Sequence, residues 1–410
     1  MHARDIFRPA EILLPDFSRT DGTRWATVAC DQYTSQPDYW DRVRAFVGNA
    51  PSTLRLMLPE IFLADSDRLV PQIHTAMREA LNGLLSLFPG SMILTERTQA
   101  DGRVRCGIVG ALDLESYDYR SGAVSPVRAT EGTVPERIPP RTRIRRSAPL
   151  EMPHIMLLFD DPCGTVIPPL RRERPSLRRL YDFDLMENGG HICGYRLGAE
   201  QQVSLTDALD ALPASRREHP LLFAVGDGNH SLASAKAVYE ELKETLGEEV
   251  ARTHPARYAL VEIVNLHDPA LDFEPIYRAV FGTDPATLLA DFSAFAAAQN
   301  GSAPPQRFLA VTAEGEQTIP AAHPVYRLPV ATLQAYLDGR PDLSVDYIHG
   351  EDALRSLAAR PDAVGFLFGG MNKSDLFPAI LADGSLPRKT FSMGHANDKR
   401  YYLECRKLER

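Results

Sequence analysis

The sequence predicts a mixed α/β (α+β) fold, and three observations carry that expectation. Nearly continuous apolar runs at His154–Phe159, Leu221–Val225 and Tyr258–Val264 have the composition of sheet strands covered on both faces. Segments with apolar residues at helical spacing stand beside them. Leu69, Ile73, Met77, Leu81 and Leu84 or Leu85 recur between about Asp67 and Leu87, and Leu232, Ala235, Val238, Tyr239, Leu242 and Leu246 recur between about Ser231 and Leu246, where Gly247 is a stop signal. Finally, 410 residues with 44% hydrophobic content are too many for one ordinary core and suit two or three packed domains.

Taken in order, a first region, residues 1–121, mixes short strands with helices. Ser91–Leu94 and Val104–Ala111 read as strands joined by a hairpin turn at Ala100-Asp101-Gly102. From Val124 to Arg146 the prolines Pro126, Pro135, Pro139 and Pro140 interrupt any long helix. The stretch reads as a polar loop whose length marks it as functional or disordered, and its basic run Arg141–Arg146 reads as solvated. A central region, residues 122–283, holds the three apolar strands and the helix that follows the second of them. A third, residues 284–410, is Ala-rich and helical at first. It then carries strands at Arg307–Val311 and Ala363–Phe368, the loop Gly369–Lys373 and a Lys- and Arg-bearing end.

The formal charge of −9 gives no basic footprint for a polyanion, so no nucleic-acid partner is expected. Five scattered cysteines, Cys30, Cys106, Cys163, Cys193 and Cys405, form no CxxC pair and argue against a disulfide framework or a thiolate zinc site; a reducing cytoplasm fits best. No apolar signal segment opens at Met1–Ile6, and no run is long and apolar enough for a bilayer span, so no membrane partner is expected. GxSxG, Walker A, GxGxxG and HExxH patterns are all missing, which counts against α/β-hydrolase, P-loop, Rossmann dinucleotide and zincin readings. Nothing in the sequence bears on oligomeric state.

The strongest local signal is Gly226-Asp227-Gly228-Asn229-His230-Ser231, set between an apolar strand and an amphipathic helix. Glycines let the backbone turn tightly, and the first amides of a helix, with its dipole, favour an anion. Asp227 can hold a cation that neutralises phosphate, and His230 or Ser231 can donate to it. On spacing alone the loop reads equally as a helix cap formed by Asp227 and Ser231 with a packed His230. Upstream, Thr130-Glu131-Gly132-Thr133 with Arg137 suits a general base tuned by its neighbours, or equally a solvated loop. Further polar groups follow strands at Asp31-Gln32, His191, Asn265-Leu266-His267 and His395-Ala396-Asn397-Asp398.

Most of the chain resembles the bacterial family named domain of unknown function 1015. In that family an apolar strand leads into Asp-Gly-His-His-Arg and a helix; here the loop reads Asp227-Gly228-Asn229-His230-Ser231, with Asn and Ser replacing a His and the Arg. The family's His-Glu-x-Thr is matched by Thr130-Glu131-Gly132-Thr133, and its Met-Pro-x-Lys-Ser/Thr by Leu386-Pro387-Arg388-Lys389-Thr390. This family is similar to the ParB and sulfiredoxin superfamily, which includes free L-serine kinases. The resemblance implies that residues 122–283 form a ParB/sulfiredoxin-like phosphate-binding domain, with the third region packing on the site. It implies a small-molecule phosphotransferase, with free serine or O-phosphoserine as substrate, ATP or ADP as nucleotide, and Mg²⁺. Glu131 would be the base, and Asp227 and His230 would take part in the chemistry. Gly226, Gly228, Asn229, Ser231, Thr130, Thr133, Arg137 and Lys389 would bind phosphate, Asp227 would hold the metal, and Asp31, Gln32, His191, Asn265 and His267 would lie around the substrate. Two alternatives are a nucleotide-binding regulator of the ParB type and a metal-assisted hydrolase built on Asp31, His191, Asp227, His230 and His267.

Overall fold

A computed structural model describes residues 2–409 except 35, 121, 133–137, 153, 217 and 219, with 138–140 and 216 described by backbone alone. The chain divides into two compact units. One comprises residues 1–129, 133–271 and 395–410, the other 130–132 and 272–394.

The first unit holds helix α1 (Ser66–Gly83), strands β1 (Ile93–Thr98), β2 (Val104–Asp113) and β3 (Val127–Ala129), helix α2 (Ile138–Arg146), strands β4 (Met156–Phe159), β5 (Arg178–Asp184), β6 (His191–Arg196) and β7 (Phe223–Asp227), helix α3 (Asn229–Leu246) and strand β8 (Tyr258–Asn265). The eight strands lie in one mixed sheet in the order β5-β6-β1-β2-β8-β4-β7-β3. β4 runs parallel to β8 and antiparallel to β7, and β7 runs parallel to β3. Side chains alternate between two apolar clusters: Val109 and Ala111 of β2 join one, Ile108 and Leu112 the other. Both faces are therefore covered, which is why the central strands read as unbroken apolar runs rather than as alternation.

The second unit is an antiparallel sheet. Its elements are β9 (Phe273–Phe281), α4 (Pro285–Ala298), β10 (Gln306–Thr312), β11 (Gly315–Ala321), α5 (Pro329–Asp338), β12 (Ser344–His349), α6 (Glu351–Ala358) and β13 (Ala363–Phe368), with strand order β11-β10-β13-β9-β12. The fold is mixed α/β, as the sequence predicts.

Several local expectations change. The helix expected to reach Leu87 ends at Gly83, and Leu85–Ser91 is a strand paired with Ala10–Pro15. The stretch Val124–Arg146, expected to be a polar loop, contains β3 and α2; Pro139 and Pro140 fall in the first turn of α2, where no intrahelical donor is needed. Its basic run is not merely solvated. Arg141 pairs with Glu60, Arg143 with Asp67 at 2.7 Å, Arg145 with Glu151 at 2.5 Å and Arg146 with Glu241 at 2.8 Å. The two units also differ from the division at 121 and 283, because β2 from the first region pairs residue for residue with β8 from the central one, and Cys405–Lys407 returns to pair with the strand Ala10–Pro15. Among the described residues no helix is long and apolar enough to cross a membrane.

Candidate functional site

The strand-to-helix loop is shaped by two backbone devices. Leu157 faces Val225 and Met156 faces Asp227, so Gly226 is the extra residue of a β-bulge that re-aims Asp227. Gly228 then takes φ +79° and ψ 27°, the left-handed region, and α3 begins at Asn229. A Cβ on Gly228 would lie 3.1 Å from Ile155 Cα, so space and backbone angle both call for glycine. Asp227 Oδ1 accepts the Gly228 N–H at 2.9 Å. Gly228 is itself the N-cap residue and brings no side chain to the helix start.

The second oxygen of Asp227 lies 3.6 Å from Lys399 Nζ, and both side chains are largely buried. Asp31 belongs to the same electrostatic neighbourhood. Burial alone would raise its carboxyl, but His154, a hydrogen bond donated by Gln32 and the charge of Lys399 together hold it below the ordinary range. His154 Nε2 stands 3.7 Å from Asp31 Oδ2, and its Nδ1 shares a 2.8 Å hydrogen bond with the Tyr402 hydroxyl, which also accepts the Cys30 N–H. Burial pushes the Cys30 thiol up to about 12, so Cys30 is a poor nucleophile. A cavity of about 140 Å³ is lined by Ser231, Ser234, His154 and Tyr402 among mostly apolar groups.

Two remote stretches of chain build this cluster. Thr27–Val28 pairs with Tyr401–Tyr402, and Ala29 N–H donates to Arg400 O, which brings the Asp31 turn beside Lys399. The neighbouring Arg400 is anchored below the surface by Glu262 and Glu404, each at 2.6 Å. Chemically, the arrangement offers a helix start, an ammonium and two carboxylates: groups for a phosphate and for a hard cation.

The two other family-like motifs meet within the second unit. Glu131 forms a parallel bridge with Leu386, Leu386 N–H donates to Thr130 O at 2.7 Å, and Gly132 N–H donates to Leu386 O. Arg278 organises this region. Its fully buried guanidinium donates to the Ile276, Arg388 and Lys389 carbonyls and to Gln334, and lies over the Tyr347 ring; burial lowers its pKa to about 10. Lys389 has φ +54° and holds Nζ 5.3 Å from the centre of that ring. Thr133 and Arg137 lie outside the described residues.

The remaining expected site residues sit elsewhere in the first unit. Asn265 bridges the backbone of Asp161 and His267 bonds Asp160, both beyond the Phe159 end of β4, whereas Asp227 pairs at its Met156 end. The strand thus separates them from the loop by roughly 10 Å. His191 bonds Asp182 and Asp184 on the β5–β6 hairpin. Sequence reasoning missed Lys399, His154, Tyr402 and Arg278. Lys399 stood unremarked in a basic C-terminal segment and His154 at the head of an apolar run, and no local spacing ties either to the loop.

The solved structure of a conserved hypothetical protein from Pyrococcus furiosus matches over 73% of this chain and 94% of its own, with 10% identity and a TM-score of 0.35. A mutant free serine kinase in complex with ADP matches over 75% and 93%, with 10% identity and a TM-score of 0.38. SbnI with a C-terminal truncation, from Staphylococcus aureus, matches over 70% and 82%, with 11% identity and a TM-score of 0.35. No curated protein matches the chain. The model of the family described as a protein of unknown function, DUF1015, matches residues 15–340, and the chain belongs to that family.

Proposed function

We propose that this protein is a nucleotide-dependent small-molecule phosphotransferase, acting on free L-serine with ATP or ADP as donor, or in reverse on O-phosphoserine. The observation that supports it best is the Asp227–Lys399 pair beside a glycine-dictated strand-to-helix turn. Phosphoryl transfer asks mainly for positioning and charge neutralisation, and this turn offers both. In this reading the loop Gly226–Ser231 holds the nucleotide phosphates and Lys399 offsets their charge, while Thr130 and Lys389 are assigned to phosphate on the motif resemblance alone. Mg²⁺ suits Asp227 and Asp31, hard oxygen donors in the number such a phosphate-bound cation takes from a protein, and when bound it would neutralise phosphate charge. Glu131, on the motif resemblance, accepts the proton as serine Oγ attacks phosphorus and the bond from phosphorus to the nucleotide oxygen breaks.

The test is to incubate the protein and Mg²⁺ with serine plus ATP or ADP, and separately with phosphoserine plus ADP, and to follow phosphoserine and nucleotide by mass spectrometry. Turnover in either direction is expected. Glu131→Gln should keep nucleotide binding and lose at least ~100-fold in turnover, the scale of a lost general base, while Asp227→Asn should weaken both. Full activity in Glu131→Gln refutes the assigned base; no turnover with any pair refutes the substrate assignment.

A further inference from the structure

The edge hairpin β5–β6 pairs Asp182 with Cys193 and Asp184 with His191, so these four side chains share one face of the sheet. His191 Nε2 lies 2.7 Å from Asp182 Oδ1, and Cys193 Sγ lies 3.3 Å from that oxygen and 3.4 Å from Nε2. His191 Nδ1 is held by Asp184 Oδ1 at 2.7 Å. The other oxygen of Asp182 is taken by Arg179, which leaves Oδ1 facing the His and the Cys. Among the described residues this is the one group of three or more such donors that converges within 4.8 Å.

We propose that Asp182 Oδ1, His191 Nε2 and Cys193 Sγ are ligands of a zinc-type divalent cation, with Asp184 orienting the imidazole from its other nitrogen. The donor chemistry selects the ion: thiolate with imidazole suits Zn²⁺ or Co²⁺ and disfavours Mg²⁺ and Ca²⁺. Tetrahedral bonds of about 2.0–2.3 Å put ligand atoms ~3.3–3.7 Å apart, so both sulfur distances already fit and the Asp182–His191 pair needs to open by roughly 0.7 Å. Asp182 is 31% exposed at its side chain and can make that adjustment. A carboxylate on the non-ligating nitrogen fixes the tautomer a metal-bound imidazole requires. The cation takes a thiolate and an unprotonated Nε2, so binding is coupled to proton release. With three protein ligands and partial exposure, the fourth position is left to water or a small anionic ligand.

The site is tested by stripping the full chain with a chelator and titrating Co²⁺ while recording absorption. One equivalent should produce a thiolate-to-cobalt charge-transfer band with the intense visible bands of tetrahedral cobalt, and Zn²⁺ should abolish both. Cys193→Ser should lose the charge-transfer band, Cys163→Ser should keep it, and Asp184→Asn should weaken Zn²⁺ binding about 10- to 100-fold in competition with a chelating dye. If Cys193→Ser does not fold, His191→Gln, checked by its melting curve in metal-free buffer, carries the test and should weaken binding at least as much as Asp184→Asn. A titration without the band, or a band that survives Cys193→Ser, means a hydrogen-bonded cluster only and overturns the proposal.

Discussion

At the scale of single residues, the loop depends on one position more than on any charged group. Gly228 stands at φ +79° with Ile155 backbone 3.1 Å from where a Cβ would be. An L-residue pays about 1–2 kcal/mol for that backbone region, and the contact adds to it. Gly228→Ala should therefore lose about 1–3 kcal/mol of stability, read as a lower urea midpoint at unchanged slope. A change below ~0.5 kcal/mol, the range of an ordinary surface substitution, would mean that the turn is not held in this conformation. Lys399 makes a second residue-scale case, because its ammonium lies 3.6 Å from Asp227 and its charge also biases Asp31. Lys399→Met should lower nucleotide affinity, measured by calorimetry, by more than tenfold, since both the ammonium–phosphate attraction and the offset to two carboxylates go with it. Equal affinity in the variant would remove Lys399 from the phosphate site.

At the scale of elements, the C-terminal segment that carries Lys399 is fixed by a buried charge network. Arg400 bonds Glu262 of β8 and Glu404, Thr95 of β1 donates to Glu262, and Tyr181 of β5 donates to Glu404. A side chain at Gly107 on the neighbouring strand would collide with Glu262, so β2 carries glycine where the carboxylate lies. Removing one partner of such a network leaves uncompensated buried charge. Arg400→Met should cost about 3–5 kcal/mol and lower the thermal midpoint. The same network predicts an acid limb. Burial raises the Glu262 carboxyl, but Arg400, Arg105 and Thr95 outweigh it, and the folded value lies below the ordinary 4.5. A depressed folded pKa gives stability that is fully present above 4.5 and is lost as pH falls through the lower folded value. The stability gap between the parent chain and Glu262→Gln should accordingly be constant at neutral pH and shrink below about 4.5; a gap that stays constant or widens on acidification refutes the sign.

At the scale of the whole molecule, what the sequence reveals and hides follows from where the information lies. The apolar strands β4, β7 and β8 are legible because burial on both faces writes itself into consecutive residues, whereas β5, Arg178–Asp184, is an edge strand of mixed character that no apolar run announces. The loop Asp227–Ser231 is legible because its residues are contiguous. Lys399, Asp31 and His154 converge only through strand pairing between distant segments, and β2 with β8 joins regions that composition alone separates. The three-region division therefore tracks local composition, while the two units track pairing across it. A ligand that binds only the folded state raises the free energy of unfolding by RT ln(1 + [L]/Kd), about 2.7 kcal/mol at a hundredfold excess over Kd. For a chain of this size that amounts to a few degrees in the melting midpoint. ADP with Mg²⁺ should raise the midpoint of the parent protein by that amount, dose-dependently, and Asp227→Asn and Lys399→Met should lose the shift while melting cooperatively on their own. Glu131→Gln should keep it, because a base acts on the acceptor and not on nucleotide affinity. An equal shift in all four proteins would mean that nucleotide binds away from the Asp227 loop, and no shift in any of them would remove nucleotide from the account of this site.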